Sequence, residues 1–411
     1  MTMRASCAWA GTFLAALVGC GGGSGELMVE VVPPVTAVAV GDFNRDGRED
    51  AAFLVGTFVG RSDPGTLVLR FATGDPQHPF QAPVRLAVGT DPRQLVAADL
   101  NGDGALDLVV VDGSMVQGTY GVTCLLNAPS QPGTFQPALR VGTGGRSPLQ
   151  AAVGDLNGDG RPDLAIAALG GASALVAFQR PDGTFLAPQE VALDGEPRAL
   201  AIGPVHRSAP EQELFVATTA GTVNVLLQSP TDPGGFQPRR VFPGAPDPTG
   251  MVLGDFNANG YTDVAVADGG TGQPGSPGSL RLLQQNVMIL GSCIRCVAFD
   301  PPVTLPAGGG VTRAVAASDL DGDGRLDLIA CNAGVPGDPG SLSLWFPVPS
   351  QPGTFYSPDR YQGYWGPQAV AIGDLDGDGL PDLLLADGEA RVRFQDRNAP
   401  GWFFPPVTLL R

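Results

Sequence analysis

Charged and aromatic residues are scarce in this 411-residue chain, at 16% and 7% of positions, and only two histidines occur. What displaces them is 59 Gly and 39 Pro, too many for long helices, so a helical bundle or coiled coil is excluded. Basic residues are also few. Against 41 acidic side chains stand 24 basic ones, and a net charge of −17 repels nucleic-acid phosphates and anionic lipid headgroups. Beyond the first twenty residues no run reaches the roughly 18 apolar positions that span a bilayer. Apolar residues nonetheless make up 43% of the chain, in short runs such as 107–111 (DLVVV) and 174–178 (ALVAF). Such a chain has material for a core along its whole length and folds.

The amino terminus reads as an export signal. Arg4 is its only early charge, an apolar stretch runs from Ala8 to Val18, and small Gly19 precedes Cys20. Leu17-Val18-Gly19-Cys20 resembles the lipobox of bacterial lipoproteins, which implies lipidation of Cys20 as the first mature residue and a place in the cell envelope, at the outer membrane. A plain cleavable signal is the alternative. Residues 21–25 (GGGSG) then form a flexible tether. Of the remaining cysteines, Cys293 and Cys296 share one turn as a disulfide pair or a redox site, whereas Cys124 and Cys331 sit in apolar runs as small buried hydrophobes.

After residue 25 one pattern recurs seven times: an Ala/Val strand, an Asp/Asn/Gly loop, two further strands, a Pro-Gly-x-Phe turn and a fourth strand. The loop starts at Asp42, Asp99, Asp155, Asp255, Asp319 and Asp374, with a degenerate copy at Pro204, at intervals of 49 to 64 residues. Four short strands per period are what a β-propeller blade requires, and radial closure removes the exposed edges of an open array. The expected fold is all-β, a seven-bladed propeller of four-stranded antiparallel blades over residues 26–411. Small residues such as Ala37–Val40 and Ala369–Ile372 suit the crowded inner strand. The PGTF-type turns at 130–135, 181–185, 232–236 and 350–355 bury a Phe and are structural. Both the carboxyl-terminal PPVTLLR and Leu27–Val32 compete to complete the last blade; the former is expected to do so, with the latter beside it.

Six loops place oxygen-bearing side chains at positions 1, 3, 5 and 9, with Gly at 6 and a backbone carbonyl available at 7. In blade order the sets are Asp42, Asn44, Asp46 and Asp50 with the Arg48 carbonyl; Asp99, Asn101, Asp103 and Asp107 with Ala105; and Asp155, Asn157, Asp159 and Asp163 with Arg161. Next come Asp255, Asn257, Asn259 and Asp263 with Tyr261, then Asp319, Asp321, Asp323 and Asp327 with Arg325, and finally Asp374, Asp376, Asp378 and Asp382 with Leu380. Hard cations that take six to eight oxygen ligands are served by this spacing, and Ca²⁺ is the natural occupant, about six ions in all. An EF-hand would need Glu at position 12; here position 12 is apolar in every copy, so the loop lies in a β-hairpin. The loops hold 19 ligand carboxylates, and six divalent ions would bring the charge to about −5. Two loops have four carboxylates and should bind most tightly; 255–263 has two. The degenerate loop, with Pro204 at position 1, should hold no metal.

The repeated unit, with its turn PGTF and loop GDLNGDG, resembles the FG-GAP or VCBS repeat of integrin-alpha-like propellers across residues 26–411. The resemblance implies calcium in the hairpin loops and roles in adhesion, carbohydrate binding or extracellular scaffolding. The integrin's separate adhesion domain has no counterpart in this chain.

For catalysis the sequence offers little: His78 and His206 lie in loops, and no G-x-S-x-G, H-E-x-x-H or phosphate-cradling motif is present. A calcium-binding recognition or adhesion module for a carbohydrate or protein ligand is the leading reading. A polysaccharide-active enzyme, resembling FG-GAP lyases, and an envelope scaffold are the alternatives. Variation concentrates in the second connections (56–65, 112–121, 268–279, 332–341) and in 361–367. The expected ligand face is therefore opposite the calcium loops, with Tyr361, Tyr364 and Trp365 as stacking surfaces or, equally, as packing against the adjoining blade.

Overall fold

In a computed structural model, residues 33–57, 64–75, 78–116, 119–136, 139–206, 208, 211–270, 278–286, 297–335, 340–364 and 366–409 are described. Seven four-stranded sheets follow one another, each with its strands paired in chain order and antiparallel, so each is one blade. The first blade comprises Val35–Gly41, Asp50–Val55, Thr66–Arg70 and Val84–Ala87. The last comprises Ala369–Gly373, Asp382–Ala386, Ala390–Arg393 and Val407–Thr408. The carboxyl-terminal copy thus completes blade 7; the competing segment Leu27–Val32 lies outside the described residues.

Burial changes across a blade as the chemistry of its strands does. Second strands such as Asp163–Ala168 and third strands such as Ser173–Ala177 are buried at every position, because each blade face packs on a neighbour. That two-sided burial explains continuous apolar runs in place of alternation. Fourth strands such as Gln189–Ala192 face water. In blades 1 to 6 the first strand has a bulge near its start, and in four of them the residue there is Pro92, Pro148, Pro197 or Pro248. A residue without an N–H suits a point where the ladder is already interrupted.

The core divides into seven clusters, one per blade interface. Blades 1 and 2 share Leu54, Leu67 and Leu108, blades 6 and 7 share Leu342, Leu344 and Leu383, and the ring closes where Val38 and Phe53 meet Leu384 and Val392. Side chains reinforce this last seam. Glu49 accepts the Asp374 N–H at 2.6 Å, and Arg70 donates to the Leu409 carbonyl at 3.0 Å.

A second interface device was not anticipated from the sequence. The second residue after the third strand is Asn127, Gln179, Gln228, Gln285 or Gln395 in five blades, and its amide donates to a loop carbonyl of the preceding blade. Gln179 Nε2 reaches Leu100 O at 2.6 Å and Gln395 Nε2 reaches Leu320 O at 2.7 Å. Ala72 and Pro347 occupy the register in blades 1 and 6, where no such amide exists. The signal was present as Asn or Gln two residues after an apolar strand, but only the fold shows what it reaches.

Candidate cation loops

Each loop joins the first strand to the second, and the second strand opens on the position-9 residue, for example Asp107–Val116 and Asp327–Ala333. Two residues per loop take the left-handed conformation. Position 6 is glycine throughout, whereas position 4 is glycine in four loops and Arg45 (φ 60°) or Ala258 (φ 57°) in the others. The sequence reading recognised only position 6. A side chain at positive φ costs about 1 kcal/mol, so loops 42–50 and 255–263, in blades 1 and 5, are strained at position 4.

Carboxylates hold the loop shape by accepting its N–H groups. The position-1 Asp takes the position-6 N–H in all six, as Asp42 does from Gly47 at 2.9 Å and Asp319 from Gly324 at 2.8 Å. The position-5 oxygen takes the position-7 N–H, as Asp103 does from Ala105 and Asp378 from Leu380. Position 9 is the anchor. Asp50, Asp107, Asp163, Asp263, Asp327 and Asp382 are all buried, and one oxygen of each accepts the position-2 N–H at 2.7–3.0 Å. The other oxygen accepts an N–H from beyond the third strand in every loop but that of Asp327.

Burial raises the pKa of these anchors: Asp50 and Asp163 to about 6, and Asp263, Asp327 and Asp382 to about 7, against the backbone bonds that favour the anion. Asp107 is raised for the same reason. Asp321 and Asp376 are raised by burial and by neighbouring loop carboxylates.

In the two loops with four carboxylates, Asp319, Asp321 and Asp327, and likewise Asp374, Asp376 and Asp382, bring carboxylate oxygens within 4.8 Å of one another. Raised carboxyls and an unpartnered buried oxygen on Asp327 are what a cation would relieve, so the donor set fits a hard divalent ion. Asn44, Asn101, Asn157 and Asn257 hold position 3 in the other loops, with Asn259 at position 5 of loop 255–263. Position 5 behaves differently. Asp46, Asp159, Asp323 and Asp378 pair with Arg48, Arg161, Arg325 and Arg397, and the Arg325 guanidinium holds the Asp323 carboxyl below the usual range.

The degenerate loop keeps only the anchor: Glu213 opens its second strand and accepts the Gln228 N–H. Position 7 of the next loop, Tyr261, stacks edge-on against His206 with centroids 4.5 Å apart, so His206 is a half-buried, structural loop residue. His78 is exposed beside Asp75. Cys124 and Cys331 are buried free thiols, as expected, and burial pushes Cys124 up to about 12.

Of the two readings of Tyr361, Tyr364 and Trp365, Tyr364 follows the packing one. Tyr361 and Tyr364 belong to a strand, Asp359–Tyr364, not to a connection. Tyr364 is 3% exposed, its hydroxyl accepts from Arg393 Nε, and the Arg393 guanidinium lies 5.0 and 5.3 Å from the Tyr361 and Tyr364 ring centres. A ring enclosed by blade 7 packs and does not stack on a ligand. Trp365, Cys20, the Cys293/Cys296 turn and segments 58–63, 117–118, 271–277 and 336–339 lie outside the described residues.

Residues 42–110 and 319–385 match the FG-GAP-like repeat model, and 147–178 match the FG-GAP repeat model. No curated protein matches the chain. Among solved structures, the BP39L lectin of Burkholderia pseudomallei superposes with a TM-score of 0.61 at 16% identity, over 92% of this chain and 99% of its own. An Agrocybe aegerita lectin specific for non-reducing terminal N-acetylglucosamine gives 0.52 at 14%, over 87% and 86%. A Bacteroides uniformis protein proposed as a 6-phosphogluconolactonase gives 0.59 at 15%, over 87% and 96%. At such identities these likenesses speak to fold alone. With its seven blades closed, the chain is a seven-bladed β-propeller in which residues 42–110, 147–178 and 319–385 match FG-GAP-type repeats.

Proposed function

We propose that this propeller is a calcium-loaded recognition module of the cell envelope, lipid-anchored through Cys20, which binds a carbohydrate or protein ligand. The observation that carries the calcium reading is the convergence of Asp319, Asp321 and Asp327, and of Asp374, Asp376 and Asp382. Like charges held that close destabilise an empty loop and favour a divalent ion. The two lectins among the structural neighbours support a ligand-binding role over a catalytic one.

Titrating Ca²⁺ into chelator-treated protein by calorimetry tests the reading. Uptake of about six ions with a raised melting temperature is expected; an unchanged melting temperature would refute it. Anchoring is tested apart from this, since Cys20→Ser should release the protein from the membrane fraction, and unchanged partitioning would remove the lipid from the proposal.

A further inference from the structure

The seven third connections serve as controls for one another. Each carries a Phe that bridges back to the second residue after the third strand, from Phe80 with Ala72 in blade 1 to Phe403 with Gln395 in blade 7. The chain is extended there, so the two residues flanking the Phe share a side, away from the blade. In blade 2 they are Thr134 and Gln136, in blade 4 Gly235 and Gln237, and no flank in blades 1 to 5 is aromatic. Blade 7 departs, with Trp402 59% and Phe404 50% exposed, and blade 6 puts Tyr356, 55% exposed, in the register of Phe404. These three are the only aromatics among the large exposed hydrophobics of the described residues.

Thr and Gln meet the needs of the turn, so two bare rings add nothing to the fold and favour association. Their presence implies an occupant. Its size is bounded: the two rings together leave roughly 200 Å² bare, against the ~800 Å² per partner of a stable protein interface. Its mode of contact is bounded too. The rings lie roughly 6.6 Å apart along the chain and are held rigidly, because Phe403 between them is 8% exposed and Trp402 O and Phe404 N bond to Asp396 N and Phe394 O at 2.8 and 2.9 Å. Beside them, Asp396, Arg397 and Asn398 display carboxylate, guanidinium and amide edges that complement hydroxyl groups. Arg397 also ties this turn to the loop carboxylate Asp378 at 2.6 Å, which puts the rings on the same face as the cation loops. Even with six divalent ions bound the net charge stays near −5, which disfavours acidic glycans and anionic lipid.

We infer that Trp402 and Phe404 form a stacking platform for a neutral saccharide on the cation-loop face of blade 7. The inference rests on the recognition reading above and specifies its site and ligand class. The test is calorimetric titration of the full chain with chito- and cello-oligosaccharides, and of Trp402→Thr combined with Phe404→Gln, which installs the residues of blade 2. Binding by the parent, weakened about tenfold or more in the variant with the melting temperature unchanged, is the expected result. Undiminished binding by the variant would overturn the platform and leave the recognition function intact. Absence of binding to both oligosaccharide series would overturn the ligand class. If the variant instead lost flotation with neutral liposomes, or passed from dimer to monomer in sedimentation, the occupant would be a membrane or a second copy and the inference would fall.

Discussion

Asp327 and Pro347 are mismatched partners: in five sibling loops a strand N–H in the register of Pro347 reaches the buried outer oxygen of the anchor aspartate at 2.7–2.9 Å, and proline has none to give. The Asp327 oxygen is accordingly without a hydrogen-bond partner. An unsatisfied buried acceptor costs about 1–3 kcal/mol, which makes blade 6 the blade most in need of a cation or a proton.

Replacing Pro347 with Gln should supply both the missing N–H and an amide able to reach toward blade 5. Loss of proline's restraint on the unfolded chain offsets part of the gain, by about 0.4–1 kcal/mol, leaving a net stabilisation of about 1 kcal/mol in urea unfolding of the chelated protein. With calcium present the gain should shrink. A destabilised variant would show that Pro347 serves the turn more than it harms Asp327.

The interblade amide carries a prediction of the opposite sign. Gln395→Ala removes the 2.7 Å bond from Nε2 to the Leu320 carbonyl within a buried interface. A loss of about 1–3 kcal/mol is expected, read as a lower denaturation midpoint with an unchanged denaturant slope. The same substitution at half-buried Gln237, whose amide bonds within its own turn, should cost under about 1 kcal/mol.

Stability should depend on pH in opposite senses with and without calcium. A carboxyl whose pKa is higher folded than unfolded binds its proton more tightly in the fold. Asp50, Asp163, Asp263, Asp327 and Asp382, raised from 3.8 to about 6 or about 7, therefore support the calcium-free fold below 3.8 and withdraw that support as pH climbs through 6 and 7. Calcium needs the anion, so its stabilising effect should grow over the same window. Melting curves with and without chelator from about pH 4 to about pH 8 check this; a constant gap between them would show that the anchors are not ligands.

Tyr364→Phe should act on the blade 6–7 seam rather than on a ligand. Removing the hydroxyl leaves Arg393, itself buried, with the Phe404 carbonyl at 3.0 Å and two ring faces. A cost of about 1–3 kcal/mol follows for a hydrogen bond to a charged donor, seen as a lower melting temperature. If Tyr364 instead met a ligand, melting would be unchanged and saccharide titration altered.

Blade number, strand order within a blade and the position of the Asp/Asn/Gly hairpin loops were legible in the sequence because each depends on residues near one another in the chain. Asp or Asn at 1, 3 and 5, Gly at 6, Asp at 9 and an apolar position 12 mark a hairpin turn in each copy, and the Ala/Val run before it marks an inner strand. Closure by the carboxyl-terminal strand was legible as well, since PPVTLL repeats a fourth-strand sequence.

Tertiary structure alone decided what happens between blades, since those contacts join residues distant in sequence. Gln395 and Leu320 are 75 residues apart, and nothing in either segment announces the other. Aromatic exposure was decided in the same way. Tyr364 and Trp402 both lie in turn-rich, variable stretches, but Tyr364 faces the adjoining blade, where Arg393 encloses it, while Trp402 follows an extended turn whose own Phe403 takes the buried side. The alternation of a two-residue period fixes which side chains share a side; only the neighbouring blade fixes which side is solvent.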